Sequence, residues 1–247
     1  MLADRMTWKE YQQAIKRATI VLPVGSLEQH GPHLPLGTDV VIPLIIATRV
    51  AERLKAMVLP PIAYGYKSQP TSGGGQMFPG TTSLEGDTLV HLALDILRET
   101  YRHGGRRFLI IIGHYENTAF VGEAVDVFLR DSPEAKVVIL AWWDLISPKL
   151  VEELWAGVGF PGWDTEHASI AETSLMLYLA PELVRADKIL DDQAARKPNY
   201  QIFPPPKDII PRSGVLYKAT FASREKGEKL AREAVDAIVE IALRELK

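Results

Sequence analysis

Three runs in this chain are apolar at consecutive positions rather than alternate ones: ATIVLPV (18–24), RRFLIII (106–112) and KVVILAW (136–142). A strand with one wet face alternates apolar and polar residues, so unbroken β-branched runs predict strands buried on both faces. Strands of that kind belong to parallel sheets covered by helices on either side. The stretches between them carry helical signals. Thr7 with Glu10 reads as a capping box opening a helix to about residue 17, and Thr82 with Glu85 as another, opening a helix that runs towards Gly104 and Gly105. Further helices are expected over about 40–55, 116–130 and 167–179, with a long amphipathic one over about 223–246. Ser147-Pro148 predicts an N-cap with proline at the first helical position, starting a short helix to about Trp155. Alternation of this sort predicts an α/β fold: a three-layer sandwich with a mainly parallel central sheet flanked by helices, in one domain spanning residues 1–247.

Hydrophobic residues make up 47% and charged residues 24%, enough apolar material for a sizeable core. The net charge of -3 comes without blocks of like sign, which argues against nucleic acid or an anionic membrane as a partner. The absence of cysteine excludes a disulfide framework, a thiolate nucleophile and any Cys-based zinc or iron–sulfur site. The N-terminus is polar and amphipathic without an apolar secretory core, and Pro43 interrupts the short apolar run from Val40 to Ala47. A cytoplasmic protein is therefore expected.

Two long segments exceed ordinary connections, residues 60–81 and 188–215. Loops of that length in a compact domain are usually functional or lie at an interface. The second, with PPP at 204–206, reads as a surface or subunit-contact arm. The SGGG at 72–75 lacks the Lys-Ser/Thr of a phosphate-binding loop, and its glycines suit a close backbone approach instead.

Chemistry-bearing residues gather just after two of the strands. In GSLEQHGPHLPLGTD (25–39), Glu28 and His30 stand two apart, which on an extended backbone points both side chains the same way. In GHYEN (113–117), His114 and Glu116 repeat the spacing at the same kind of place. Ligands of open α/β sheets sit beyond the carboxyl ends of the strands. With Asp39, the set becomes three carboxylates and two imidazoles, a donor mixture suited to zinc or manganese. Two ions sharing a bridging carboxylate would use all five and leave room for water. A metal-free polar cluster is the competing reading, and Asp39 alone reads equally as a helix cap. His33, between Pro32 and Leu34, reads as structural or as support for a neighbouring ligand.

A third segment, GWDTEHASIAETS (162–174), places His167 at the start of an expected helix and Glu172 in its first turns. Five residues turn about 500° around a helix, so the two share a face only loosely. A histidine at a helix N-terminus has its cationic form disfavoured, which suits a proton shuttle; Glu172 there is also an ordinary dipole partner. Tyr115, Trp142, Trp143 and Trp163 lie near the same edge, as core packing or as a cover for a small planar substrate.

These motifs resemble the creatininase (creatinine amidohydrolase) family. GSLEQHGPHLPLGTD and GHYEN carry the resemblance, and SGGGQMFPGTTS and GWDTEHASIAETS extend it from about residue 20 to 180; Tyr115-Glu116 follows the form of creatininases proper. The resemblance implies one metal on Glu28, Asp39 and His114, another on His30, Asp39 and Glu116, and Asp39 as the bridge. It implies two divalent ions per chain, zinc and/or manganese. Ser72, Tyr115, Trp143 and Trp163 match substrate-pocket positions, and His167 matches the acid/base histidine with Glu172 beside it. The implied reaction is creatinine plus water to creatine, by a metal-bridged hydroxide with His167 passing the proton, in a homohexamer acting on a small molecule. A formamide deformylase, a keto-cyclitol ring hydrolase and a non-catalytic metal-stabilised scaffold are the alternatives.

Overall fold

In the computed structural model, which describes residues 1–247, the three apolar runs become strands of one sheet. In chain order the elements are α1 (Trp8–Ala14), β1 (Ile20–Val24), α2 (Thr38–Leu54), β2 (Met57–Val58), α3 (Gly86–Arg102) and β3 (Arg107–Ile112). They are followed by α4 (Asn117–Arg130), β4 (Lys136–Ala141), α5 (Pro148–Leu154), α6 (Ile170–Leu179) and α7 (Arg224–Glu245). The four strands run parallel in the order β2-β1-β3-β4. None of the residues of β1 is exposed, and Phe108 to Ile112 of β3 are equally buried, as expected of unbroken apolar runs. The third run departs from that expectation, because β4 is an edge strand with Lys136 exposed and Val137 to Ile139 only partly buried. Truncating Ile110 or Ile111 to Ala would cost about 2–5 kcal/mol.

From β1 the chain crosses through α2 to β2 on one side, whereas α3 and α4 carry it the opposite way to β3 and β4. Right-handed crossovers in opposite directions put their helices on opposite faces. Hence α2, with α6 and α7 packed on it, covers one face, and the pair α3 and α4 covers the other. The reversal falls between β1 and β3, and Val24 pairs with Ile112, so both strands end level there. Such a switch point opens a crevice at the carboxyl ends of the strands. No helix is long and apolar enough to cross a membrane.

One strand was not expected, and one expectation needs correction. The two-residue strand β2 is too short to leave a pattern in the sequence. Thr82 and Glu85 make no capping box: Glu85 is the N-cap of α3 without a side-chain cap bond, and its carboxylate takes Lys67 instead (2.5 Å). Thr82 bonds through its N–H to the Leu27 carbonyl (2.9 Å), tying the 60–81 loop to the segment after β1. By contrast, the Thr7 and Glu10 box and the Ser147 cap both form.

Candidate active site

Both strands at the switch point end on glycine, and nothing larger fits. A Cβ on Gly25 would lie 2.3 Å from the Asp39 carbonyl oxygen, and one on Gly113 would lie 2.4 Å from the same atom. The first turn of α2 therefore rests directly on the ends of β1 and β3. The N-cap of α2 is Gly37, so Asp39 sits inside the helix and is not its cap. Its carboxylate is free for two imidazoles: Oδ1 is 3.0 Å from His30 Nε2, and Oδ2 is 3.0 Å from His114 Nδ1.

The imidazoles follow one plan. His30 donates from Nδ1 to the Glu28 carbonyl (3.0 Å), and His114 donates from Nε2 to the Tyr66 carbonyl (3.0 Å). Each then turns its other nitrogen to two carboxylates. His30 Nε2 faces Asp39 and, at 3.6 Å, Glu172; His114 Nδ1 faces Asp39 and, at 3.1 Å, Glu28. Either the rings carry two protons each, or a cation lies between nitrogen and carboxylates. Burial opposes charge on both rings, yet Asp39 and Glu172 at His30, and Glu116 and Glu28 at His114, outweigh it and raise both pKa values well above the usual range. The same attraction overcomes burial at Asp39 and Glu28 and lowers theirs.

Glu28 is the group here best suited to a cation. Both its oxygens are buried and neither receives a hydrogen bond, a costly state for a carboxylate. Ligand atoms around a tetrahedral ion at about 2.0–2.1 Å lie roughly 3.3 Å apart, close to the separations seen here. Two groups have donor atoms all within 4.8 Å of one another: Glu28, Asp39 and His114, and His30, His167 and Glu172. The first is the trio the resemblance implies. In the second, Glu172 and His167 stand where Glu116 was expected. Glu116 lies at the other nitrogen of His114 (Oε2 to Nε2, 3.2 Å), and its Oε1 accepts from the Gln69 N–H (2.8 Å) and the Ser72 hydroxyl.

The glycine loop closes on Glu28. A Cβ on Gly73 or Gly75 would come within 2.6 Å of Glu28 Oε1. His167 does not open α6, which begins at Ile170, so the helix-end argument for it does not hold. The turn bearing it includes Ala168 at φ +51°, a left-handed conformation that costs a non-glycine residue about 1–2 kcal/mol. The Glu172 carboxylate accepts from the Ala168 N–H (2.6 Å) and steadies that turn. His33 is fully buried against Thr173 (2.8 Å) and belongs to neither ligand group; burial, reinforced by His30, holds its pKa down to about 4.

One cavity collects nearly all of these groups. Asp39, Ser72, His114, Tyr115, Glu116, Trp143, Trp163, His167 and Glu172 line it, together with Trp142, Asp164 and Glu166. Tyr115 stacks on Trp143 with ring centres 6.2 Å apart, and Trp142 meets both Trp143 and Trp163 edge-on. Glu28 and His30 lie behind this wall. Sequence reasoning missed Glu166, whose buried carboxyl accepts from the Trp155 indole (2.8 Å) and the Ala171 N–H (2.8 Å). Burial pushes it up to about 7. The 188–215 arm also reaches the wall, through Lys197 to Asp164 (2.8 Å), and behind it the Gly214 carbonyl accepts from the Gln29 amide.

The model of the family described as creatinine amidohydrolase (creatininase) matches residues 4–242. Creatinine amidohydrolase of Pseudomonas putida is 46% identical over 253 residues, covering 99% of this chain and 96% of that protein. A mycofactocin precursor peptide peptidase of Mycobacterium ulcerans is 30% identical over 90% of this chain and 83% of its own length. Among solved structures, a mutant creatininase complexed with creatine superposes with a TM-score of 0.94 at 44% identity, covering 98% of both chains. A Zn-Zn type mutant creatininase (TM-score 0.95, 43% identity, 100% and 98% covered) and a manganese creatininase (0.94, 44%, 100% and 99%) match as well.

Proposed function

Since the chain belongs to the creatininase family, we propose that it is a dinuclear metal-dependent cyclic amide hydrolase that opens creatinine to creatine. The observation that carries this reading is the shared cavity, where candidate metal ligands, an imidazole and a cage of flat aromatic side chains face one space. In this reading Glu28, Asp39 and His114 hold one ion. His30, the other oxygen of Asp39 and Glu116 would hold the other, as the family resemblance implies; Glu116 lies at His114 Nε2 here, and Glu172, 3.6 Å from His30 Nε2, is the nearer carboxylate. Asp39 would be shared between the two, which its two oxygens on two different imidazoles support. The ions would be zinc or manganese, consistent with mixed nitrogen and oxygen donors and with the metals of the related creatininases. Such a pair supplies positive charge that polarises a carbonyl and makes water nucleophilic near neutral pH.

The protein's own groups do the rest. Trp143 and Trp163, with Tyr115, receive the flat ring and exclude bulk water. Ser72, bonded to Glu116, lies on the same wall and orients the substrate's polar edge. In hydrolysis the oxygen of water adds to the carbonyl carbon, the ring C–N bond breaks, and the leaving nitrogen takes a proton. His167 takes that proton from water and delivers it to nitrogen, and Glu172 holds the turn that carries it. The assembly is a homo-oligomer in this reading, a hexamer.

The test combines metal analysis with product detection. Purified protein should hold about two ions per chain and convert creatinine to creatine. Parallel assays with formamides, a keto-cyclitol and short peptides cover other substrates of the same chemistry. Creatine from none of the metal-loaded preparations would overturn the substrate assignment, while fewer than two ions would overturn the dinuclear one.

A further inference from the structure

We infer that Gln29 is a positioning residue that locks His167 in one tautomer, with its hydrogen on Nε2 and Nδ1 left as the basic atom of the ring. This rests on the reading of His167 as the proton carrier. Gln29 is the spacer between two candidate ligands in LEQHG, yet its side chain is buried and meets three separate parts of the chain. Its amide nitrogen lies 3.1 Å from the Gly73 carbonyl, 3.0 Å from the Gly214 carbonyl and 2.9 Å from His167 Nε2. Its Oε1 accepts from the Gly31 N–H (2.9 Å), which fixes the orientation of the amide. Its backbone N–H bonds to Thr81 Oγ1 (3.0 Å), and its carbonyl oxygen lies 2.8 Å from His167 Nε2.

Counting hydrogens leaves one consistent assignment. A primary amide has two N–H groups, and three neighbours stand within reach of this one. If both go to Gly73 and Gly214, His167 Nε2 must carry its own hydrogen and donate it to the Gln29 carbonyl. The Gln29 amide, the carbonyls of Gly73, Gly214 and Gln29, and His167 Nε2 are then all paired. If one went to a bare Nε2, a glycine carbonyl would lose its donor, and two lone pairs would face each other across 2.8 Å at the Gln29 carbonyl. Burying a carbonyl without a donor is costly, so the first arrangement prevails. The contact between the amide and Nε2 is a packing contact, not a hydrogen bond.

The same network brings the distant arm to bear on the ring. Gly214 has φ +80°, and a Cβ there would lie 1.8 Å from Gln29 Oε1. Two residues on, the Leu216 N–H bonds to the His167 carbonyl (3.2 Å). The end of the 188–215 arm thus clamps both the histidine and the glutamine that orients it. Gln29 acts through His167 and the backbone and holds no place among the proposed metal ligands.

Neutron diffraction from deuterium-exchanged crystals of the zinc-loaded protein tests the tautomer without any substitution. Deuterium on His167 Nε2, directed at the Gln29 carbonyl, is the expected result; deuterium on Nδ1 alone overturns the inference. Gln29→Met keeps the bulk and removes the bonds. It should lower kcat by at least about tenfold, part of the 10²–10⁴ that a positioned acid–base group supplies. KM and metal content should stay unchanged. An unchanged kcat, or a loss that follows loss of metal, overturns it too. If the wild-type protein hydrolyses none of the substrates above, the proposed function fails, while the neutron map still decides the tautomer. If Gln29→Met does not fold, that map stands alone as the deciding measurement.

Discussion

Asp39 Oδ2 and His114 Nδ1 lie 3.0 Å apart across 75 positions of sequence, and the ring's other nitrogen is already committed to the Tyr66 carbonyl. A neutral imidazole in that setting offers a lone pair to an anion, which is repulsive unless a cation intervenes. On the proposed reading, metal binding and folding would be linked at this centre.

The thermal midpoint should rise as zinc or manganese is added and fall with a chelator. A free ion at a hundred times its Kd stabilises by about 2.7 kcal/mol per site. His114→Ala should abolish most of the response, read by differential scanning calorimetry. A midpoint indifferent to both metal and chelator would remove the case for a metal centre.

Gly75→Ala should damage the centre from outside it. The added methyl would stand 2.6 Å from Glu28 Oε1. Gly75 is not at positive φ, so the effect is steric. Overpacking of this kind costs about 1–3 kcal/mol. Metal content should drop along with urea stability. If the variant keeps its full metal complement, Glu28 is not a ligand.

Glu166 gives a pH signature of stability. Its folded pKa of about 7 lies above the ordinary glutamate value near 4.5 because burial disfavours the carboxylate. Between those values the folded chain retains a proton that the unfolded chain releases. Stability from this group therefore falls as pH rises from about 4.5 to 7 and levels off above, by roughly 3 kcal/mol in all. Urea unfolding of the wild type and of Glu166→Gln across that range should show a flatter profile in the variant. Equal slopes would mean that Glu166 titrates normally.

Trp163→Ala should weaken a flat substrate more than a puckered one. Aromatic contacts contribute about 0.5–1.5 kcal/mol beyond area, which corresponds to a roughly two- to tenfold rise in KM for creatinine. A keto-cyclitol substrate should be affected less. Equal changes for both would show that Trp163 supports the wall without selecting shape.

Much of this was legible because the signals were local. The unbroken runs at 20–24 and 107–112 marked buried strands, and their level ends brought Glu28, His30, His114 and Glu116 to one edge. Asp39 was ambiguous in the sequence, and the close contact of its carbonyl with Gly25 and Gly113 shows why it sits over both strands. What stayed hidden depended on tertiary partners. Met57 and Val58 make a strand only because β1 lies beside them. Glu166 reads as an ordinary surface acid until Trp155 and the start of α6 enclose it. Gln29 reads as a spacer until Gly73, Gly214 and His167 converge on it. The start of α6 was misread because Ala168 takes a left-handed turn that no residue in HASIAE announces.

The level pairing of Val24 with Ile112 also sets a length scale. Neighbouring strands stand about 4.7–4.9 Å apart in any sheet, a constant of the peptide backbone. Each ligand set of the proposed reading takes one side chain from each strand end, Glu28 with His114 and His30 with Glu116. Side chains rising from two adjacent strand ends and leaning slightly together span that gap with little adjustment. The sheet is in effect the gauge block of the site. Loops around the rim are then free to diverge and change what enters, while the span between the two strand ends stays fixed by hydrogen bonds far below them.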